Sequence, residues 1–283
     1  MTASHPLRDE STPDRTAQPM NRIGSHPGPA PLAGAGRPRR PALVLVAHGS
    51  RDPRALRTVS ALAERVRALR PGLSVHLGHI ELNAPLLPET LAELGTGEAV
   101  LVPLLLTRGY HVKRDIPELA ARTPVRARVA APLAPHPLVV ETLRDRLVEA
   151  GWPTGMDEET RRASAVVLAA AGSRDPDSKV DTQRTADLLA DRLGVPVVPA
   201  YASAAAPTVS EAVRALAARG RHRTAVASCF TAPGRFATQC AEAAPWIASA
   251  PLGAHPAMAR LILHRYDRAR ATQPLKPPAL ASV

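Results

Sequence analysis

The chain has 283 residues, 45% of them apolar and only 2% aromatic, and a formal net charge of +11. Scarce aromatic residues and the absence of any run of five basic residues argue against a nucleic-acid partner, although the basic charge favours some other anionic partner. Two cysteines in neither a zinc nor a redox spacing, no signal-peptide-like segment and no membrane-spanning apolar run predict a cytoplasmic protein without membrane contact.

Both ends of the chain lack a hydrophobic period. Residues 1–40 are rich in Pro, Gly, Ser and Arg, and residues 272–283 are similar, so both are predicted to be disordered tails.

The continuous apolar run at residues 42–47 predicts a parallel strand buried on both faces. Asp52 and Pro53 then supply the N-cap and the first residue of a helix. Its predicted apolar face consists of Leu56, Val59, Leu62, Val66 and Leu69.

Strands and helices continue to alternate along the first half of the chain. Further strands are predicted near residues 74–82, 99–106 and 126–131. A helix is predicted to begin at Pro85, and another to span residues 137–150. The polar segment at residues 107–115 is predicted to be a loop, followed by a short helix. These elements make up a first domain at residues 41–150.

The same pattern then restarts. VLVAHGSRDP at residues 44–53 recurs as VLAAAGSRDP at residues 167–176. Three further matches keep nearly the same offset: Pro85 with Pro207, Gly109 with Gly234, and His136 with His255. Strands predicted at 165–170, 195–200 and 224–229 alternate with helices at 175–193 and 207–219. We therefore predict an internal duplication, with a linker at 151–163 and a second domain at 164–271. Each unit is expected to be an α/β fold, a mostly parallel sheet with helices on both faces.

Three potential metal ligands follow the strands of the first unit: His48, Glu81 and His111. Open α/β sheets bind ligands beyond the carboxyl ends of their strands, so these side chains are expected to converge there. Two imidazoles and a carboxylate suit Fe²⁺, Co²⁺ or Ni²⁺. Taken singly, His48 could serve a backbone contact and Glu81 could be a solvated carboxylate. The second unit, however, lacks all three, with Ala171, Ser203 and Phe236 at the matching positions.

Residues that both units keep are assigned to structure. They are His136 and His255, which precede a helix-starting Pro, and the capping pairs Ser50–Asp52 and Ser173–Asp175. Because the turns recur and the ligands do not, the turns are expected to serve the fold and the ligands to serve chemistry in one unit only.

Three motifs in fixed order, AHGSRDP, IELNAPLLPETLAEL and VPLLLTRGYHVKRDIP, resemble the class II chelatase family, the sirohydrochlorin cobalto- and ferrochelatases. The resemblance covers residues 42–270. It implies the two-domain long form of that family, with two chelatase-like domains facing each other across a cleft. It also implies a lyase that inserts Fe²⁺ or Co²⁺ into sirohydrochlorin for sirohaem or cobalamin synthesis. No organic cofactor is implied, since the divalent metal is itself a substrate.

The resemblance also assigns roles to residues. His48 and His111 match the family's metal-binding histidines, and Glu81 matches an acidic position of its site. Metal insertion releases pyrrole protons, which His48 or Glu81 is expected to accept. Sirohydrochlorin is a polycarboxylate, so the basic residues near the ligands are expected to bind it: Arg51, Arg108, Lys113, Arg114, Arg174 and Arg235. The chain is expected to be a monomer with an internal pseudo-dimer.

The turn around His48 lacks the residues that other enzyme classes need at this place. A histidine phosphatase needs Arg directly before the histidine, but Ala47 precedes His48. The G-x-S-x-G turn of serine hydrolases and the G-x-G-x-x-G turn of dinucleotide-binding domains are also absent from this turn. A non-enzymatic carrier of metal or tetrapyrrole would use the same ligands and stays open; turnover distinguishes it from an enzyme.

Overall fold

Two four-stranded parallel sheets, one from each half of the chain, form the framework of the protein. The computed structural model describes residues 40–272. The predicted tails at 1–40 and 272–283 therefore lie outside the described residues, apart from Arg40 and Thr272. Of the helices in the described range, none is both long and apolar enough to cross a membrane.

The first unit has nine elements in the predicted alternation. They are β1 (Ala42–Ala47), α1 (Pro53–Leu69), β2 (Val75–His79), α2 (Leu87–Glu93), β3 (Glu98–Pro103), a π-helical turn (His111–Asp115), α3 (Ile116–Ala121), β4 (Arg126–Val129) and α4 (Pro137–Glu149). The strand order is β2-β1-β3-β4, and every neighbouring pair is parallel.

The second unit repeats this plan. Its elements are α5 (Glu158–Ala163), β5 (Ser164–Ala170), α6 (Pro176–Leu193), β6 (Val197–Tyr201), α7 (Val209–Ala217), β7 (Arg223–Ser228), α8 (Arg235–Glu242), β8 (Ile247–Ala248) and α9 (Pro256–Ala271). The strand order β6-β5-β7-β8 is that of the first sheet, again all parallel. The predicted α/β class and the internal duplication are confirmed.

The repeated GSRDP turn is a capping device, as predicted. Asp52 accepts a hydrogen bond from the Arg54 N–H at 2.9 Å and caps α1, and Ser50 Oγ accepts from the Asp52 N–H at 3.1 Å. The second unit makes the same two bonds at the start of α6. Helix α1 buries Val59, Leu62 and Val66 as expected, but Leu56 and Leu69 are exposed because they lie at the margins of its apolar face.

Two predicted strands are shorter in the structure. The second strand ends at His79 and not at residue 82, because the chain folds back there. The His79 N–H donates to the Pro85 carbonyl, and Leu82 has a left-handed φ of +66°. The third strand ends at Pro103 and not at residue 106. The apolar residues after it are buried for another reason: Leu104 belongs to a core shared with the second unit.

Two segments predicted to be irregular contain helical turns. Within the predicted loop 107–115, the N–H groups of Val112 and Lys113 both donate to the Gly109 carbonyl and begin the π-helical turn. Within the predicted linker 151–163, α5 forms because Asp157 caps it, accepting from the Thr160 N–H at 2.6 Å. Acidic side chains in the first turn of α5 also favour the helix through its dipole.

A single apolar core joins the two units. It contains side chains such as Leu45 and Leu143 from the first unit and Leu168 and Ile262 from the second. Helix α1 packs against α9, α4 packs against α6, and α4 and α9 pack against each other. The first helix of each unit thus packs against the last helix of the other unit. Smaller apolar clusters under α2 and α3, and under α7 and α8, cover the outer face of each sheet.

Loops that follow the strands of the two units also meet each other. A Cβ placed on Gly109 would lie 3.5 Å from Ser173 Oγ, and one on Gly234 would lie 3.8 Å from Ser50 Oγ. Each unit therefore places a glycine beside the capping serine of the other unit. The contact occurs in both directions, and the space beside each serine would admit a methyl group in ordinary van der Waals contact.

His136 and His255 cap α4 and α9, as their recurrence before Pro predicts. Nδ1 of His136 accepts from the Leu138 N–H at 3.1 Å, and Nδ1 of His255 accepts from the Ala257 N–H at 3.2 Å. Burial, with the nearby Arg265 and His264, lowers the pKa of His136 to about 4. Burial likewise lowers the pKa of His255.

We expect stability to fall on acidification through His136. The unfolded chain takes up this proton near the ordinary histidine pKa of 6.5, whereas the folded chain resists it down to about 4. The linked stability is therefore complete above pH 6.5 and is lost as the pH falls towards 4. His136→Asn keeps a capping acceptor that does not titrate, so its unfolding free energy should depend less steeply on pH in urea titrations. An equal slope in the variant and the wild type would contradict this.

Candidate functional site

The candidate site begins at the turn between β1 and α1, where His48 follows the buried strand. Gly49 has a φ of +103°, and a Cβ there would lie 1.8 Å from the Glu81 carbonyl oxygen. Only glycine allows this close crossing of two chain segments. Because residue 49 is glycine, the backbone of Glu81 can lie directly against the turn that carries His48.

Glu81 lies beyond the end of β2, not at the end of the strand as predicted, and its loop is fixed by hydrogen bonds. Its N–H donates to the His48 carbonyl at 3.0 Å, and its carbonyl accepts from the Asn83 N–H at 2.8 Å. Asn83 Oδ1 in turn accepts from the Ser50 N–H at 2.7 Å. Asn83 thus ties the Glu81 loop to the His48 turn, a role that the sequence reasoning missed.

His111 is the first residue of the π-helical turn after β3. Its Nδ1 lies 2.5 Å from Asp115 Oδ2, one turn further along. A carboxylate only accepts hydrogen bonds, so in the neutral imidazole Nδ1 carries the hydrogen and Nε2 has the free lone pair. Carboxylates commonly orient metal-binding histidines in this way. The i, i+4 spacing of His and Asp was visible in the sequence, but the prediction of a loop concealed it.

The three predicted ligands come together at this end of the first sheet. The ring centroids of His48 and His111 lie 4.7 Å apart with the rings nearly perpendicular. Glu81 Oε1 is 3.6 Å from His48 Nδ1. Even so, no group of three His, Cys, Asp or Glu side chains in residues 40–272 is already arranged to hold a metal ion. The geometry is that of a histidine pair with a half-exposed carboxylate beside it.

The matching positions of the second unit carry no such groups. Ala171 has only a methyl group, the Ser203 hydroxyl donates to the Ala171 carbonyl at 3.1 Å, and the Phe236 ring lies 4.8 Å from the guanidinium of Arg235. The backbone is nevertheless the same: Gly172 has a φ of +90°, and a Cβ there would lie 1.8 Å from the Ser203 carbonyl oxygen. The two units share the turn and differ in chemistry.

Neither cysteine adds a ligand to the site. Cys229 and Cys240 are both free and buried. Burial raises the pKa of Cys229 to about 12 and that of Cys240 to about 11. Both therefore remain neutral thiols near neutral pH, and metal ions bind the thiolate form.

Two of the six predicted substrate-binding cations are already paired inside the protein. Arg108 Nη2 lies 2.7 Å from Asp181 Oδ1, and Lys113 Nζ lies 2.7 Å from Asp175 Oδ2. Hydrogen bonding to these carboxylates raises the pKa of both cations. The prediction missed these acids because they belong to the other unit, Asp175 as the N-cap of α6 and Asp181 within that helix. The other four are exposed: Arg51 and Arg114 lie in the segments that carry His48 and His111, and Arg174 and Arg235 lie in the matching segments of the second unit.

Comparisons with known proteins agree with the repeat. The sequence model of the CbiX family matches residues 42–150 and 165–269. The chain is 32% identical over 179 residues to the sirohydrochlorin ferrochelatase of Bacillus subtilis, a match that covers 60% of this chain and 66% of that protein. It is 33% identical over 137 residues to the sirohydrochlorin cobaltochelatase of Methanopyrus kandleri, covering 38% of this chain and 96% of that one.

A solved structure shows the same fold over most of the described chain. SirB from Bacillus subtilis with Fe³⁺ superimposes with a TM-score of 0.65 and 26% sequence identity. The superposition covers 82% of this chain and 96% of that one. The sequence match, in contrast, spans slightly less than two thirds of the Bacillus ferrochelatase.

Proposed function

The chain belongs to the CbiX family, and from this we propose that it inserts a divalent metal ion, Fe²⁺ or Co²⁺, into sirohydrochlorin. The observation that carries the proposal is the pair His48 and His111, 4.7 Å apart at the carboxyl end of a parallel sheet, with Glu81 beside them. The names of the relatives, iron chelatases and cobalt chelatases alike, fit the same reaction.

In the proposed reaction the two histidines present the metal ion. Asp115 holds Nδ1 of His111, which leaves Nε2 as the nitrogen that binds the ion. Two imidazoles can bind any of Fe²⁺, Co²⁺ and Ni²⁺. The metal that is inserted therefore depends on which ion is available as much as on the site. A site with two nitrogens and an exposed carboxylate holds the ion loosely enough to release it to a stronger tetrapyrrole ligand.

Glu81 and His48 accept the protons that the metal displaces. Each pyrrole N–H must lose its proton as a metal–nitrogen bond forms. The Glu81 carboxylate is half-exposed and lies 3.6 Å from His48 Nδ1, so it can take a proton directly or through that ring and pass it to water. The reaction exchanges a metal ion for protons and moves no electrons or carbon groups, so the proposal includes no organic cofactor.

The carboxylates of sirohydrochlorin are assigned to the four exposed arginines, Arg51, Arg114, Arg174 and Arg235. They come from both units, and Arg51 and Arg174 occupy matching positions of the two GSRDP turns. Guanidinium groups bind carboxylates with two parallel hydrogen bonds. A monomer then suffices, because the shared core already places one unit against the other.

Turnover tests this function. With sirohydrochlorin and Fe²⁺, Co²⁺ or Ni²⁺ under anaerobic conditions, we expect the tetrapyrrole absorption spectrum to convert through many equivalents per protein, faster than without protein. A conversion that stops at one equivalent would identify a carrier and overturn the proposal of an enzyme. The metal with the fastest rate at equal free concentration would indicate the preferred substrate.

A further inference from the structure

We infer that the second unit positions His111 through three acidic side chains, the α6 N-cap Asp175 and the α6 residues Asp177 and Asp181, which we call the acidic trio. This inference rests on the proposed function, since it gives His111 its role as a metal ligand. The trio contacts the segment at residues 107–115, here called the His111 loop. The unit without ligands would thus contribute to metal binding without touching the metal.

The strongest contact joins Asp181 to Arg108. Asp181 Oδ2 accepts from the Arg108 backbone N–H at 2.9 Å, and its Oδ1 accepts from Nη2 at 2.7 Å. One carboxylate therefore fixes both the backbone and the side chain of Arg108. Asp181 is only 1% exposed, and a buried carboxylate is costly unless it is paired and hydrogen-bonded. The pair consequently has little freedom to separate.

Two further contacts hold the His111 loop on either side of Arg108. The hydroxyls of Thr107 and Ser178 are 2.8 Å apart. Lys113 Nζ lies 2.7 Å from Asp175 Oδ2 and 2.9 Å from Asp177 Oδ2. His111 lies between the anchored residues 108 and 113, so its backbone is fixed from both sides.

These ion pairs are not required by the reciprocal packing of the two units. The alignment that matches His48 with Ala171 places Asp52, Arg54 and Thr58 opposite the acidic trio. The alignment that matches Gly109 with Gly234 places Pro233 and Thr238 opposite Arg108 and Lys113. The glycine–serine contact occurs in both directions, whereas the charged contacts occur in one. They accompany the loop that carries a ligand.

The test compares two bidentate Arg–Asp pairs that both join the units. Asp181→Asn removes the charge that holds the His111 loop. Asp267→Asn removes the pair of Asp267 with Arg70, with oxygen–nitrogen distances of 2.7 and 2.8 Å. Arg70 lies at the far end of α1 from the His48 turn, so this matched control weakens the contact between units and leaves the loop alone.

Co²⁺ titration of each protein, followed by its visible absorption, measures metal binding without sirohydrochlorin. We expect Asp181→Asn to weaken Co²⁺ binding about 10- to 100-fold and to lower kcat of insertion, while KM for sirohydrochlorin changes little. Asp267→Asn should retain both Co²⁺ affinity and kcat. Should Asp181→Asn fail to fold, Asp177→Asn at the exposed Lys113 pair should give a smaller loss of the same kind.

The two proposals fail separately in this experiment. If Co²⁺ affinity in the acidic-trio variants equals that of Asp267→Asn, the positioning role is wrong even when the wild type turns over. If the wild type binds Co²⁺ but never metallates sirohydrochlorin, the proposed function is wrong, and the Co²⁺ affinities still decide the positioning role.

Discussion

His48→Ala is expected to lower the rate of metal insertion into sirohydrochlorin at least about a hundredfold, because it removes the proposed metal-binding nitrogen and proposed proton acceptor together. The variant should fold normally. Ala171 already occupies the matching turn of the second unit, where the same glycine, serine and aspartate bonds form without an imidazole. Initial rates at saturating metal, with the unfolding temperature as a check on folding, measure the effect.

The second unit offers a matched control for this substitution. Ala171→His places an imidazole on the equivalent turn, but Ser203 and Phe236 supply no partner ligands there. We expect it to leave the insertion rate of the wild type unchanged and to create no second Co²⁺ site. A His48→Ala protein that folds and retains the wild-type rate would remove His48 from the mechanism.

Gly49→Ala is expected to have the largest effect on stability of any single methyl addition near the site. The new Cβ would meet the Glu81 carbonyl oxygen at 1.8 Å, and the φ of +103° strains any other residue. We expect the free energy of unfolding to fall by about 3 kcal/mol or more. Because the clash displaces Glu81, Co²⁺ binding by the folded fraction should weaken as well. Urea unfolding and Co²⁺ titration measure the two effects.

Gly172→Ala separates the structural part of this effect from the chemical part. Its Cβ would meet the Ser203 carbonyl oxygen at the same 1.8 Å, with a φ of +90°. We expect a similar loss of stability and an unchanged Co²⁺ affinity of the folded protein. Equal losses of Co²⁺ affinity in both variants would show that the two turns are coupled through the core and that the site is not confined to the first unit.

Much of the fold could be predicted because the same pattern of strands and helices occurs twice in the sequence. Strand β1 and helix α1 follow from an apolar run and an Asp-Pro cap, and their copies, β5 and α6, removed the ambiguity of reading a single segment. The ends of β2 and β3 could not be read in this way. Beyond β3, Leu104 packs in the core shared between the units, whereas beyond β2, Ile80 packs in the smaller cluster of the first unit and Leu82 is exposed. Hydrophobicity alone does not distinguish such positions from a longer strand.

The candidate site was predictable to the extent that topology places strand ends together. His48, Glu81 and His111 are far apart in sequence, and only the parallel order of β1, β2 and β3 brings them to one edge. The partners of Arg108 and Lys113 could not be found in the same manner. Asp181 is 73 residues from Arg108 and belongs to the other unit. Arg108 and Lys113 therefore looked in the sequence like cations without partners in the protein.

The apolar core shared by the two units bears on why the chain keeps a second unit without the three candidate ligands. Side chains of α1 and α4 pack in that core, with α6 and α9 of the second unit against them. A shorter protein that ended after the first unit would expose this apolar surface to water and would be prone to aggregation. Covering this surface is therefore one physical reason to retain the second unit, whatever it adds to the chemistry of the first.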